Sequence, residues 1–173
     1  KNYFPLCCLA TAGFTLNWPT PMSQPNRILH VDGDSFFASC EIALDAKLEG
    51  RPVWVGGGRR GDGIVIAANR QAKKFGVETG IACFEAKRLC PQGVLCRPHY
   101  DEYRRLSAEM FRILEEYSPT LVPLSIDEGF LDLTTMDQHV WRQTSPADYV
   151  KEICQRIKVT IRLPAPAGLA NSS

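Results

Sequence analysis

The sequence lacks any CxxC pair, and its seven cysteines (Cys7, Cys8, Cys40, Cys83, Cys90, Cys96 and Cys154) follow no zinc-ligand spacing. Their odd number and their apolar or helical settings argue against a disulfide framework. They read as reduced, buried small hydrophobes, which places the chain in the cytoplasm. Long apolar runs are missing too: residues 4–12 are apolar but too short to span a bilayer, so no membrane partner is expected. A strong charge imbalance is also absent, with a net charge of +1 over 173 residues, so no global field advertises a polyanionic partner. Residues 56–63 are rich in glycine but lack P-loop spacing and a following Lys-Ser/Thr, and read as a loop. There are no internal repeats and no low-complexity tracts. The first residue is Lys1, not Met.

What is present is a globular composition, 45% hydrophobic and 23% charged, enough for one domain or two small ones. Residues 1–26 do not read like the rest. With Lys1 ahead of the apolar run they weakly resemble a secretory signal, which the reduced-looking cysteines oppose. Met22 is the candidate natural start, and 1–26 is treated as an atypical extension. Arg59, Arg60, Arg70, Lys73, Lys74, Lys87, Arg88 and Arg97 gather in one segment with few acids, a candidate basic face.

Periodicity supplies the elements. Residues 27–34 read as a strand, and 35–46 as a helix with Asp34 as its N-cap. Short strands are expected at 53–55, 64–67 and 94–96. A basic helix from Asn69 should stop at Gly76, and another over 84–89 should stop before Pro91. Tyr100, Tyr103, Leu106, Met110, Ile113, Leu114 and Tyr117 recur at helical spacing and predict a long amphipathic helix. Ser145-Pro146-Ala147-Asp148 is a helix start, followed by an apolar face at Tyr149, Val150, Ile153 and Ile157. Beyond Leu163 no packed closing element is expected, and Pro164 and Pro166 should interrupt any strand there. The sum is an α+β fold, a sheet with helices on one face.

Two acidic stretches stand out. Asp127 and Glu128 lie between Leu121-Val122-Pro123-Leu124 and Gly129-Phe130-Leu131, at the tip of a predicted hairpin. About ninety-five residues earlier, Ile28-Leu29-His30-Val31 ends on Asp32-Gly33-Asp34. If the two strands are neighbours, Asp32, Asp127 and Glu128 converge. Like charges held close repel, and a hard divalent cation such as Mg²⁺ would compensate them. Taken singly, each stretch reads more simply as a solvated hairpin tip or a helix cap.

Together, the ordered motifs resemble a family. Val31-Asp32-Gly33-Asp34-Ser35-Phe36-Phe37-Ala38-Ser39 and Leu124-Ser125-Ile126-Asp127-Glu128-Gly129-Phe130-Leu131-Asp132 look like the two acidic motifs of the Y-family, translesion DNA polymerases. Ala68-Asn69-Arg70-Gln71-Ala72-Lys73-Lys74-Phe75-Gly76-Val77 resembles their fingers helix. Gly80-Ile81, residues 85–91 and residues 100–107 continue in register. The resemblance runs from about Arg27 to Ala170 and is strongest to the DNA polymerase IV branch, with its UmuC-type domain.

It implies a ferredoxin-like palm at 27–37 and 98–173, incomplete at its C-terminus. It also implies a small α/β fingers insertion at 38–97, with the thumb and little finger absent. Asp32, Asp127 and Glu128, with the Gly33 carbonyl, would hold two Mg²⁺ ions, Mn²⁺ being able to substitute. Phe36, Phe37, Arg70 and Lys73 would meet the nucleotide, with Phe37 as the steric gate against ribose. Primer-template DNA and dNTPs would be the partners, and a sliding clamp in a longer form. The implied activity is template-directed, two-metal DNA synthesis in DNA repair, weak or absent in this stretch alone because phosphate contacts dominate DNA affinity.

The chain also departs from the pattern. Ala67, Arg70 and Lys73 stand where Thr, Tyr and Arg are usual, and Ser173 where a triphosphate lysine follows Asn. Two alternatives therefore stay open: a non-catalytic, degenerate polymerase-like protein, and another palm-type nucleotidyl enzyme such as a cyclase. The Phe36-Phe37 helix and the basic insertion speak against the cyclase.

Overall fold

The computed structural model describes residues 27–57, 63–134 and 144–164, and the backbone of 167–171. The extension at 1–26, Arg59 and Arg60 of the glycine-rich loop, and Ser173 lie outside the described residues. The elements in chain order are β1 (Arg27–Asp32), α1 (Phe36–Leu44), β2 (Val53–Gly56), β3 (Val65–Ala68), α2 (Arg70–Lys73), α3 (Cys83–Leu89) and β4 (Val94–Cys96). Then come α4 (Tyr100–Glu115), β5 (Leu121–Pro123), β6 (Glu128–Asp132), α5 (Pro146–Ile161) and β7 (Ala167–Asn171). A single 3₁₀ turn, Ala46–Leu48, follows α1. Among the described residues no helix is long and apolar enough to cross a membrane.

The chain divides into two compact units. Among the described residues the first comprises 27–33, 108–134, 144–160, 164 and 167–171. Its sheet has the order β5-β6-β1-β7, with β1 paired antiparallel to both β6 and β7. The sequence β1-α4-β5-β6-α5-β7 with that order is the ferredoxin-like βαββαβ arrangement. Side chains alternate along the central strands. Leu29, Val31 and Leu131 are buried, whereas His30, Asp32, Glu128 and Phe130 are not. The buried stripes of α4 (Met110, Ile113, Leu114) and α5 (Tyr149, Val150, Ile153, Ile157) supply the other half of the core. Each such side chain removed from water stabilises the fold by about 1.5–3 kcal/mol. Where α4 meets the sheet, Gly129 leaves room for the Phe111 ring. A Cβ there would lie 3.0 Å from Phe111 Cε1 and 3.2 Å from the Val122 carbonyl oxygen.

The second unit comprises 34–57, 63–107 and 161–163 among the described residues. Its sheet has the order β3-β2-β4, with β2 antiparallel to β3 and parallel to β4. Trp54, Val65, Ala68, Ala72, Val77, Cys83, Ala86 and Cys90 form its core. Cys40, Cys83 and Cys90 are buried, as expected of small hydrophobes, whereas Cys96 and Cys154 are only partly buried, against that expectation.

Two expectations are corrected. Asp34 does not cap α1. Ser35 occupies the cap position in the left-handed region, φ 51°, without a side-chain cap bond, and the Asp34 carbonyl instead accepts from Ser39 Oγ at 2.8 Å. The chain after Leu163 does close the sheet. β7 begins at Ala167, past both prolines, and runs beside β1 from Ala167↔Val31 to Asn171↔Arg27. A proline ahead of a strand removes no donor from the ladder, so the prolines delimit β7 without breaking it. Elsewhere the cap chemistry holds. Asn69 Oδ1 accepts from Ala72 N–H, Ser145 Oγ from Asp148 N–H, and Gly76 (φ 82°) ends the turn after α2.

Candidate active site

The acidic residues belong to the first unit. Antiparallel pairing sets Asp32 directly opposite Glu128 and His30 opposite Phe130, all on the sheet face away from the buried Leu29, Val31 and Leu131. One step beyond the strands, Gly33 N–H donates to the Asp127 carbonyl at 2.9 Å. That bond ties the Asp32-Gly33 strand end to the Asp127-Glu128 turn. The turn is tight: Leu124 N–H and Ser125 N–H both donate to the Glu128 carbonyl, at 2.8 and 3.1 Å. The neighbouring strands and the hairpin expected from the sequence are both present.

The carboxylates have local partners. Ser125 Oγ donates to Asp127 Oδ1 at 2.7 Å. Glu128 Oε1 lies 2.7 Å from His30 Nε2. Since an ionised carboxylate only accepts, the imidazole carries its proton on Nε2. The sequence reading missed His30. The signal was available: His30 lies two residues before Asp32, hence on the same strand face. Among the described residues, no three His, Cys, Asp or Glu side chains form a group that could hold a metal ion as they stand. The donor chemistry still fits a hard cation, with carboxylate oxygens from two strand ends and a backbone carbonyl beside them.

The residues read as nucleotide contacts belong to the second unit. Phe36 is buried, at 4% exposure. The Phe37 ring stacks on Tyr103, with centroids 4.8 Å apart and planes at 27°, and meets the edge of Tyr100. Tyr103 is itself pinned, its hydroxyl donating to Oε1 of the buried Glu41. His99 Nδ1 donates to the same carboxylate at 2.9 Å. Burial, then the Glu41 hydrogen bond, pushes the Tyr103 hydroxyl well above the usual tyrosine range. This Tyr103–Glu41–His99 network was not read from the sequence, because Glu41 lies about sixty residues from the other two.

Arg70 and Lys73 are exposed on α2 and face the start of α1. Arg70 Nη2 and Lys73 Nζ each lie 4.0 Å from the Asp34 carboxylate, and Lys73 Nζ donates to Ser35 Oγ at 2.9 Å. Two cations, one carboxylate and one hydroxyl thus meet at the helix that carries Phe36 and Phe37. Ala67, 8% exposed, brings no hydroxyl to β3.

The first unit thus presents opposed acids on the open face of a ferredoxin-like sheet, and comparison with known proteins shows the family. The family described as impB/mucB/samB matches residues 31–173, and the chain belongs to it. Its curated relatives include DNA polymerase IV of Bacillus anthracis, 41% identical over 144 residues, 83% of this chain and 34% of the relative. DNA polymerase IV of Alkalilimnicola ehrlichii is 40% identical over 149 residues, 86% of this chain and 41% of the relative. Among solved structures, DinB from Sulfolobus solfataricus superposes with a TM-score of 0.75 at 25% identity, covering 85% of this chain and 42% of that one. An insertion ternary complex of Dbh DNA polymerase gives 0.74 at 26% identity, covering 83% and 42%. The resemblance to Y-family polymerases, DNA polymerase IV in particular, is therefore borne out. The chain spans about a third to two fifths of the length of these relatives.

Proposed function

We propose that the chain is the palm and fingers part of a translesion DNA polymerase of the DNA polymerase IV type. It acts in the cytoplasm on primer-template DNA and dNTPs by metal-assisted nucleotidyl transfer. The observation that carries this is the register of β1 on β6, which sets Asp32 opposite Glu128 with Gly33 bonded to Asp127. Asp32, Asp127, Glu128 and the Gly33 carbonyl would hold the divalent ions, Mg²⁺ or Mn²⁺. Such ions acidify a primer hydroxyl and neutralise a triphosphate. Arg70 and Lys73 would meet triphosphate oxygens, as their charge and exposure suit. Lysine does so as a point charge, without arginine's fork. Phe37, backed by Tyr103, would close off the space a ribose 2′-hydroxyl needs. Phosphoryl transfer depends on positioning and charge neutralisation more than on covalent catalysis, and these roles would supply both, with activity weak or absent in this stretch alone. A sliding clamp is a partner for a longer form.

A non-catalytic reading draws on two observations: Glu128 and Asp127 are engaged by His30 and Ser125, and among the described residues no three-residue metal group stands ready. Primer extension at low salt with Mg²⁺ and dNTPs, with Asp127→Asn alongside, separates the two. Extension by the wild type that the variant loses supports the polymerase reading. Neither extension nor metal-dependent dNTP binding by the wild type leaves the non-catalytic one.

A further inference from the structure

We propose that His30 is a positioning residue for the acidic site, its Nε2–H holding Oε1 of Glu128 so that Oε2 is presented to a divalent cation. This rests on the metal-binding reading of Asp32 and Glu128 above. Four observations lead to it. The Nε2 to Oε1 separation is 2.7 Å, the length of a charge-assisted bond. The two residues are diagonal neighbours across β1 and β6 on the face that carries Asp32. The imidazole is itself fixed, 18% exposed and packed against the Phe130 ring at 4.8 Å between centroids. Glu128, by contrast, is 39% exposed and has a flexible stem with several rotamers.

A glutamate on an open sheet face would otherwise lose that freedom each time an ion bound. A histidine anchored by its neighbours removes most of the loss in advance, and it lends the carboxylate a defined free oxygen. Outer partners of this kind typically change metal affinity by about 10–100-fold when removed.

Two substitutions separate the donor from the ring. His30→Phe keeps a ring against Phe130 and removes the N–H. His30→Gln keeps an N–H donor at about the Nε2 position and removes the ring. Mn²⁺ titration calorimetry on the whole chain is the measurement, with metal-free thermal unfolding beside it. Expected is a loss of about tenfold or more in affinity for His30→Phe, without a matching fall in melting temperature. His30→Gln should stay near the wild type. Wild-type affinity in His30→Phe, or equal losses in both variants, would overturn the role. Asp32→Asn is the control. Binding that Asp32→Asn abolishes but His30→Phe leaves intact sinks the positioning role alone. No Mn²⁺ binding by the wild type, or binding indifferent to Asp32→Asn, sinks the metal-site reading and this inference together.

Discussion

Phe37 shows how one residue carries two demands. Its ring is half-buried against Tyr103 and Tyr100, so it is part of the unit's packing, yet it sits at the start of a helix beside the cations of α2. Phe37→Ala is expected to raise incorporation of ribonucleotides relative to deoxynucleotides in primer extension with rNTPs. Unchanged discrimination would take Phe37 out of the gate role. At this scale the acids were legible because motif and strand period both name them. Ser35 was not, since its left-handed backbone is a local cost that contacts made after folding offset, among them the bond from Lys73. Gly129 is legible only once α4 is in place. Nothing in its neighbours along the chain says that Phe111 will occupy the space of a Cβ.

Elements with their own caps and periods were the easiest to read. The stripes of α4 and α5 and the cap at Ser145 follow from spacing alone, because a helix satisfies its hydrogen bonds locally. The pairing of β7 with β1 does not, because its partner lies far along the chain and proline composition masked it. The short helix α2 depends on Asn69 more than on its own length. Asn69 is 5% exposed; its Oδ1 accepts from Ala72 N–H and from Val53 N–H, and its Nδ2 donates to the Arg51 carbonyl. One side chain thus caps α2 and ties it to β2. Asn69→Ala should cost about 2–4 kcal/mol, a cap plus buried groups left unpaired, read as a lower denaturation midpoint at unchanged slope. Asn69→Asp retains both acceptor bonds, so it should recover part of the loss. A cost within error of zero would show that the cap and the tie are dispensable.

Across the whole molecule, buried tyrosines set an alkaline limit. Tyr103 in one unit is held protonated by burial and Glu41. Tyr149 in the other is pushed up to about 12 by burial, with Glu152 and Tyr117 adding. Burial, then Glu41 and Asp45, pushes the Cys96 thiol up to about 11. In each case the folded form binds its proton more tightly than the unfolded chain, where tyrosine titrates near ~10 and cysteine near ~8.5. The stabilisation is complete below those values and is lost as pH rises through the folded ones. Melting temperature should therefore hold to about pH 9 and fall steeply toward pH 12. Tyr149→Phe should flatten part of that fall, and an unchanged slope would remove Tyr149 from the account. The sheet order also has a consequence for biosynthesis. Strand β1, which carries Asp32 at the middle of its sheet, leaves the ribosome ahead of the strands it pairs with. Both of its partners come later, β6 roughly a hundred residues on and β7 further still. At translation speeds of ~5–20 residues per second, an apolar Ile28-Leu29-His30-Val31 segment waits roughly 5–20 s with both edges unpaired. The strand that supplies the first acid is thus exposed to mispairing during synthesis until β6 emerges, a segment that a chaperone would shield.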